Sequence, residues 1–298
     1  MYDFSILSDD TVFALRVALV LFAVGFVSFV AIALYALIKT YKYSNKHKDK
    51  LKLVCDVAYF HERGKRGNQE DSVYISPLEK LEESGLVAAC SDGMGGLLNG
   101  EVVSKFVTDS LRDRFPFKFD AQSDNAKFIS DVSDQVYENF HLSAGATLVM
   151  VHIFDDLLNF YSLGDSNIVL IRNNRATLLN SKQNYAAVMI KKSAEGGIDS
   201  VDAYKDSRAR GLTDFVGNHK CNVQVTSKPM KLIDNDIIIV CSDGVTDSMP
   251  MNRIANHIHF DQNATGIART IKYGVKASKN PRQDNYSAIV IKMRRSFV

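Results

Sequence analysis

Prolines are few, 5 in 298 residues, and no low-complexity tract breaks the chain. With 46% hydrophobic residues, this excludes a disordered protein and leaves apolar material for one sizeable globular domain or two small ones. Zinc-ligand patterning is also missing. Cys55, Cys90, Cys221 and Cys241 are widely spaced in or beside apolar runs, and none of the 7 histidines has zincin spacing. Reduced, buried thiols in the cytosol suit that spacing better than a disulfide framework. The sequence carries little excess charge of either sign, with a formal net charge of +2. Residues 39–52 hold Lys39, Lys42, Lys46, Lys48, Lys50 and Lys52 against Asp49, a local +5, so the remainder stands at −3. No general basic face is left for nucleic acid.

What the chain does have, near its start, is one long run without a formal charge, residues 17–38. At ~1.5 Å per residue it extends ~33 Å as a helix, enough for a hydrocarbon core of ~30 Å. It is too long for the apolar part of a signal peptide, and its flanks are reversed. Asp3, Asp9 and Asp10 precede it, with Arg16 the lone cation, while the lysines follow. The charge order predicts an extracytoplasmic stretch at 1–16, a transmembrane helix at 17–38, a basic linker at 39–52 that can touch anionic lipid, and a cytosolic domain from 53 to 298.

That domain reads mainly as strands: 53–60, 86–90, 146–154, 157–163, 168–171, 237–241 and 288–293. Helical spacing appears at 102–115, 126–142, 253–260 and 265–277. His257 and His259 read as part of a surface helix. Strands in neighbouring pairs predict antiparallel sheets covered by helices. Residues 180–214 lose the apolar alternation and read as a surface flap.

Two strands end in the same way. Leu86 onward reads L-V-A-A-C-S-D-G-M-G-G, and Ile237 onward reads I-I-I-V-C-S-D-G-V-T-D. Each places an aspartate, Asp92 or Asp243, at a strand end beside glycines that let backbone approach closely. Asp71, Asp165 and Asp284 also sit beside strand-like runs. A single such aspartate commonly just meets solvent at a turn. Five brought together would repel one another unless cations neutralise them, and oxygen donors without His or Cys point to Mg or Mn.

Six ordered motifs extend that pattern: R-G-N-Q-E-D-S at 66–72, D-G-M-G-G at 92–96 with Gly100 and Glu101, G-A-T-L-V at 145–149, G-D-S at 164–166, S-D-G-V-T-D at 242–247 and D-N-Y-S at 284–287. In this order, over roughly residues 53–292, they resemble the metal-dependent serine/threonine phosphatases of the PPM or type 2C family, bacterial branch. The resemblance implies an α+β sandwich of two antiparallel β-sheets flanked by helices, here preceded by one transmembrane helix. It implies two Mn or Mg ions, with Asp92 bridging them and the Gly93 carbonyl adding an oxygen. Asp71 corresponds to a ligand of one ion, Glu70 to an acid that holds metal-bound water, and Asp243 with Asp284 to ligands of the other. Asp165 matches the residue that helps hold a third, weaker ion, and Arg66 the arginine that grips the substrate phosphate. The implied function is hydrolysis of phosphoserine and phosphothreonine on proteins near the membrane, such as a partner kinase or its targets.

Other phosphatase chemistries are excluded. Neither Cys90 nor Cys241 has an arginine six positions on, and Val245 occupies the second acidic position that a nucleophilic-aspartate enzyme needs. Two rival functions use the same fold: a catalytically silent phosphoprotein-binding scaffold, which the filled ligand positions argue against, and a partner-switching phosphatase for one dedicated regulator. Departures from the family pattern are Asn167 after G-D-S where arginine is usual, Leu97 after the double glycine, Met94 where some members have a proton-donating histidine, and Gln183, Asn184 and Tyr185 near a missing aspartate-histidine-serine. Met94 has no proton to give, so water or a metal-bound group must protonate the leaving alkoxide.

Overall fold

A strand that is apolar on both faces needs cover on both, and the chain provides it with two stacked sheets between layers of helix. The computed structural model describes residues 9–48, 51–95, 99–194 and 208–297. By internal contacts the chain divides into two compact units, residues 1–52 with 296–298, and Leu53–Arg295.

The first unit is carried by one helix, Asp9–Lys48, longer at both ends than the uncharged run. Its stretch Phe13–Lys42 is long and apolar enough to cross a membrane, and side chains such as Phe22 and Phe29 are exposed along it. Residues 1–8 of the expected extracytoplasmic segment and 49–50 of the expected linker lie outside the described residues.

The second unit holds strands β1 (Leu51–Glu62), β2 (Asp71–Ile75), β3 (Leu86–Met94), β4 (Gly145–Ala146), β5 (Leu148–Phe154), β6 (Leu157–Leu163), β7 (Asn167–Arg172), β8 (Arg175–Leu178), β9 (Gln224–Val225), β10 (Met230–Lys231), β11 (Ile237–Cys241) and β12 (Tyr286–Phe297). One sheet runs β1-β12-β11-β7-β8; the other runs β10-β6-β5-β3-β2, with β4 on β3 and β9 on β6. The registered pairs are antiparallel, as expected.

Period-two alternation explains the layering. Leu86, Ala88 and Cys90 of β3 face Ile238, Val240, Ile289 and Ile291 in the core between the sheets. The alternate residues Val87 and Ala89 face helices Asn99–Arg114 and Gln122–Phe140 through Val103, Val107, Leu111 and Ile129. On the far side, Ile237, Ile239 and Cys241 pack against helices Met251–His257 and Ala264–Ala277 through Ile254, Ile267 and Ile271. Each such buried aliphatic side chain stabilises the fold by about 1.5–3 kcal/mol. Asn263 caps the last helix, its Oδ1 accepting from the Gly266 N–H at 2.8 Å, a contact worth about 1 kcal/mol.

One reading needs correction. His257 closes its helix, and Ile258 beyond it is extended and buried, so His259 is not helical. Within the expected flap, Tyr185–Ala194 forms a helix, of which only Ala186 is buried, while residues 195–207 lie outside the described residues.

Candidate metal centre and active site

The antiparallel register of β2 and β3 sets Asp71 directly opposite Asp92, where like charges repel. In the other sheet Cys241 of β11 pairs with Ala288 of β12, so Asp243 just after β11 and Asp284 just before β12 emerge at neighbouring ends. The Ser242 hydroxyl ties the two sheets together. It donates to Asp71 Oδ2 at 2.8 Å and accepts from the Ser287 N–H at 3.1 Å. Strand ends from both sheets thus bring Asp71, Asp92 and Asp243 into one region, with Asp165 and Asp284 near enough to act on their charge.

Electrostatics follow from that crowding. Asp71 is only 3% exposed, and burial raises its carboxyl, as do the carboxylates of Asp243 and Asp284. Asp92 and Asp243 keep an edge open to solvent yet are enclosed on most sides. Burial pushes Asp92 well above the usual carboxylate range, and Asp71 and Asp243 push it further. Burial likewise raises Asp243, followed by the charges of Asp165 and Asp247. Burial raises Asp165, and Asn184 Nδ2, donating to its Oδ2 at 3.2 Å, works against that. Glu70 is raised by burial and opposed by Arg66.

Close backbone contact makes the glycines necessary. A Cβ on Gly93 would lie 2.1 Å from the Gly100 oxygen and 2.7 Å from the Glu70 oxygen; one on Gly244 would lie 2.0 Å from the Asn285 oxygen. Asn285 organises the loop that carries Arg66 and Glu70. Its Nδ2 donates to the carbonyls of Arg63 and Asn68 at 2.7 and 2.9 Å, and its Oδ1 accepts from the Glu70 N–H at 2.8 Å. The Glu70 carbonyl then accepts from the Gly93 N–H at 3.0 Å. Gly96 and Leu97 of the glycine turn lie outside the described residues.

Among the described residues, no three His, Cys, Asp or Glu side chains already converge as a metal cage. Competing partners hold the carboxylates apart: Arg66 takes Asp284 Oδ2 at 2.6 Å, Ser242 takes Asp71, and Asn184 takes Asp165. The donor set nonetheless fits a hard divalent cation. It is all oxygen, its carboxylates repel one another, and Asp71 Oδ1 is buried with no hydrogen-bond partner among the described residues.

No protein-family model matches the chain. The serine/threonine phosphatase of S. agalactiae superposes with a TM-score of 0.70 at 20% identity, covering 80% of this chain and 99% of that one. The second unit has the type 2C phosphatase fold. A similar match, TM-score 0.65 at 23% identity over 81% of this chain and 99% of the other, is the catalytic domain of the serine/threonine phosphatase PstP in complex with 2 manganese ions. In sequence, the chain is 25% identical over 200 residues to the protein phosphatase PTC7 homolog fig of Drosophila mojavensis, covering 63% of this chain. It spans 57% of that relative's length.

Within this domain the structure adds residues that the motifs did not single out for a role. Ser242 and Asn285 lay inside recognised motifs, but their long-range bonds had no local signature. Thr147 Oγ1 accepts from the Asp92 N–H at 3.1 Å and shares a 2.7 Å hydrogen bond with Ser166. Asn167, at the usual arginine position, is buried and donates to Thr246 Oγ1 at 3.0 Å, fastening β7 to the turn after Asp243. Gln183 Oε1 accepts from the Gly164 N–H at 2.8 Å and, with Asn184, props the turn of Asp165. Cys90 and Cys241 are fully buried, and burial pushes both thiols up, Cys241 to about 12. Neither supplies a thiolate.

Proposed function

We propose that this chain is a membrane-anchored phosphoprotein phosphatase that hydrolyses phosphoserine and phosphothreonine with two divalent cations, Mn or Mg. The observation that carries the reading is the junction of Asp71, Asp92 and Asp243 at strand ends of both sheets, with the Asp71 Oδ1 buried and unpartnered among the described residues. PstP, a relative in fold, holds 2 manganese ions, which supports the choice of cation.

Asp71, Asp92, Asp243, Asp284 and the Gly93 carbonyl would hold the ions, and Asp165, steadied by Asn184, a third. Bound there, such ions lower the pKa of a water and clamp the phosphoryl oxygens of an in-line displacement. The chain's own groups do the rest. Arg66, exposed and paired with Asp284, would turn its fork of donors to the substrate phosphate were Asp284 to hold a cation instead. Glu70, its backbone fixed by Asn285 and Gly93, positions water at the site. Met94 lies beside Gly145, 2.9 Å from where a Cβ would stand there, and its thioether has no proton to give.

The helix through Phe13–Lys42 would place the domain at a membrane, with the lysines on its cytosolic side and phosphorylated proteins there, an opposing kinase or its targets included, as substrates. The full chain in detergent, assayed on a phosphothreonine peptide with Mn, tests the activity. Phosphate release that EDTA and Asp92→Ala both abolish is expected. No release from any phosphoserine or phosphothreonine peptide would refute the reading. Protease added to intact cells tests the orientation: digestion of the domain after Lys52 would reverse it.

A further inference from the structure

A cleft of about 510 Å³ opens beside the candidate active site, and Arg66 and Asp284 form part of its wall. Its other walls bring two more guanidiniums to the same space, Arg210 from the C-terminal part of the flap and Arg282 from the approach to β12. The balance of charge there is positive: three arginines against Asp247 and Asp284. Arg66 is paired with Asp284 at 2.6 Å and Arg210 with Asp247 at 3.2 Å. Arg282 is exposed and has no carboxylate partner among the described residues, although its backbone N–H is pinned by Asn280 Oδ1 at 3.0 Å. The floor is rigid. Gln283, 7% exposed, binds the Ser248 hydroxyl through Oε1 and the Gly244 carbonyl through Nε2 at 3.1 Å.

A polar cleft on a hydrogen-bonded floor, with one unpaired guanidinium and a second held only by an exposed ion pair, is suited to take an anion. The group taken must be separate from the phosphate under attack, because that phosphate belongs to Arg66 and to the cations that the aspartates would hold. We propose that the cleft is a second anion subsite, centred on Arg282 and Arg210, for a phosphate or carboxylate group flanking the phosphoresidue on the same peptide. The preferred substrates are then doubly phosphorylated or acidic segments. This rests on the phosphatase reading above.

The test uses the full chain in detergent and fluorescent phosphothreonine peptides made with non-hydrolysable phosphonates. One peptide carries a single phosphonate. Others add a second phosphonate, or a glutamate, at each of the nearest positions on either side. Anisotropy is expected to show about fivefold tighter binding for the best-placed second anion, the size of one exposed charge-assisted contact. Arg282→Glu should abolish that ratio, and the phosphonate and glutamate arms tell a phosphate-specific subsite from one that reads charge alone. Equal affinity for all peptides, or a preference untouched by Arg282→Glu, would overturn the subsite. Phosphate release from the hydrolysable single-phosphate peptide is scored separately. Turnover without preference removes the subsite and leaves the phosphatase; preference without turnover does the reverse.

Discussion

Removing one charge from the aspartate cluster should stabilise the protein when no metal is present and weaken it when metal is supplied. Asp71 and Asp92 stand directly opposite on β2 and β3, a geometry that puts their Cβ atoms about 5 Å apart. Two full charges at about 5 Å repel by about 3 kcal/mol at an effective dielectric of about 20. Burial and neighbouring carboxylates already raise both groups, so a shared proton relieves part of this. Asp92→Asn keeps the shape, removes the repulsion and offers Asp71 a donor, for an expected gain of about 1–3 kcal/mol. For a domain of this size each kcal/mol moves Tm by about 2–4 °C. With Mn at about 100 times Kd, the wild type gains about 2.7 kcal/mol that the variant, lacking the bridging carboxylate, largely forgoes. Thermal unfolding of the full chain in detergent, in EDTA and then in Mn, should therefore reverse the order of the two proteins. If Asp92→Asn melts below the wild type in EDTA, or gains as much from Mn, the cluster is not a cation site held together against its own charge.

Three further outcomes check other parts of the structure. Gly244→Ala puts a methyl 2.0 Å from the Asn285 oxygen and should cost at least about 2 kcal/mol in chemical unfolding, with Mn-induced stabilisation lost as the two strand ends separate; a silent substitution would mean that the close approach is not real. Arg66→Ala should raise KM for a phosphopeptide by about tenfold or more, and Arg66→Lys should recover little of it, because a point charge lacks the fork; full recovery by lysine would contradict a forked contact. His152 is buried, its Nε2–H donating to the Ser84 carbonyl at 2.9 Å and its ring edge-on to Phe119, and burial lowers its pKa from the ordinary 6.5. The fold favours the neutral ring, so this stability is complete above pH 6.5 and is lost as pH falls through the lowered folded value. His152→Gln should lose less Tm than the wild type between pH 7 and pH 5.5, and an unchanged pH slope would remove His152 as the cause.

How legible these features were depends on how far each residue's partners lie along the chain. Strands β6 and β11 end where their apolar runs end, at Leu163 and Cys241, because helices cover one face and the opposite sheet the other. Strand β2 escaped notice although it starts at Asp71: it is five residues at a sheet edge, only half covered, with no apolar run to mark it. The flap helix Tyr185–Ala194 was hidden for a similar reason, since it buries only Ala186. At the site, glycine beside aspartate marked the positions where strand ends meet, a local signal. What positions those aspartates is not local: Ser242 reaches Asp71 across 171 residues, and Asn285 reaches Glu70 across 215. These are polar contacts between the two sheets, and they require the apolar faces between the sheets to be packed. The hydrophobic alternation that makes the sandwich readable is therefore also what builds the site, because it fixes the sheet-to-sheet distance at which the Ser242 hydroxyl, just after β11, can hold a carboxylate from β2 beside Asp92.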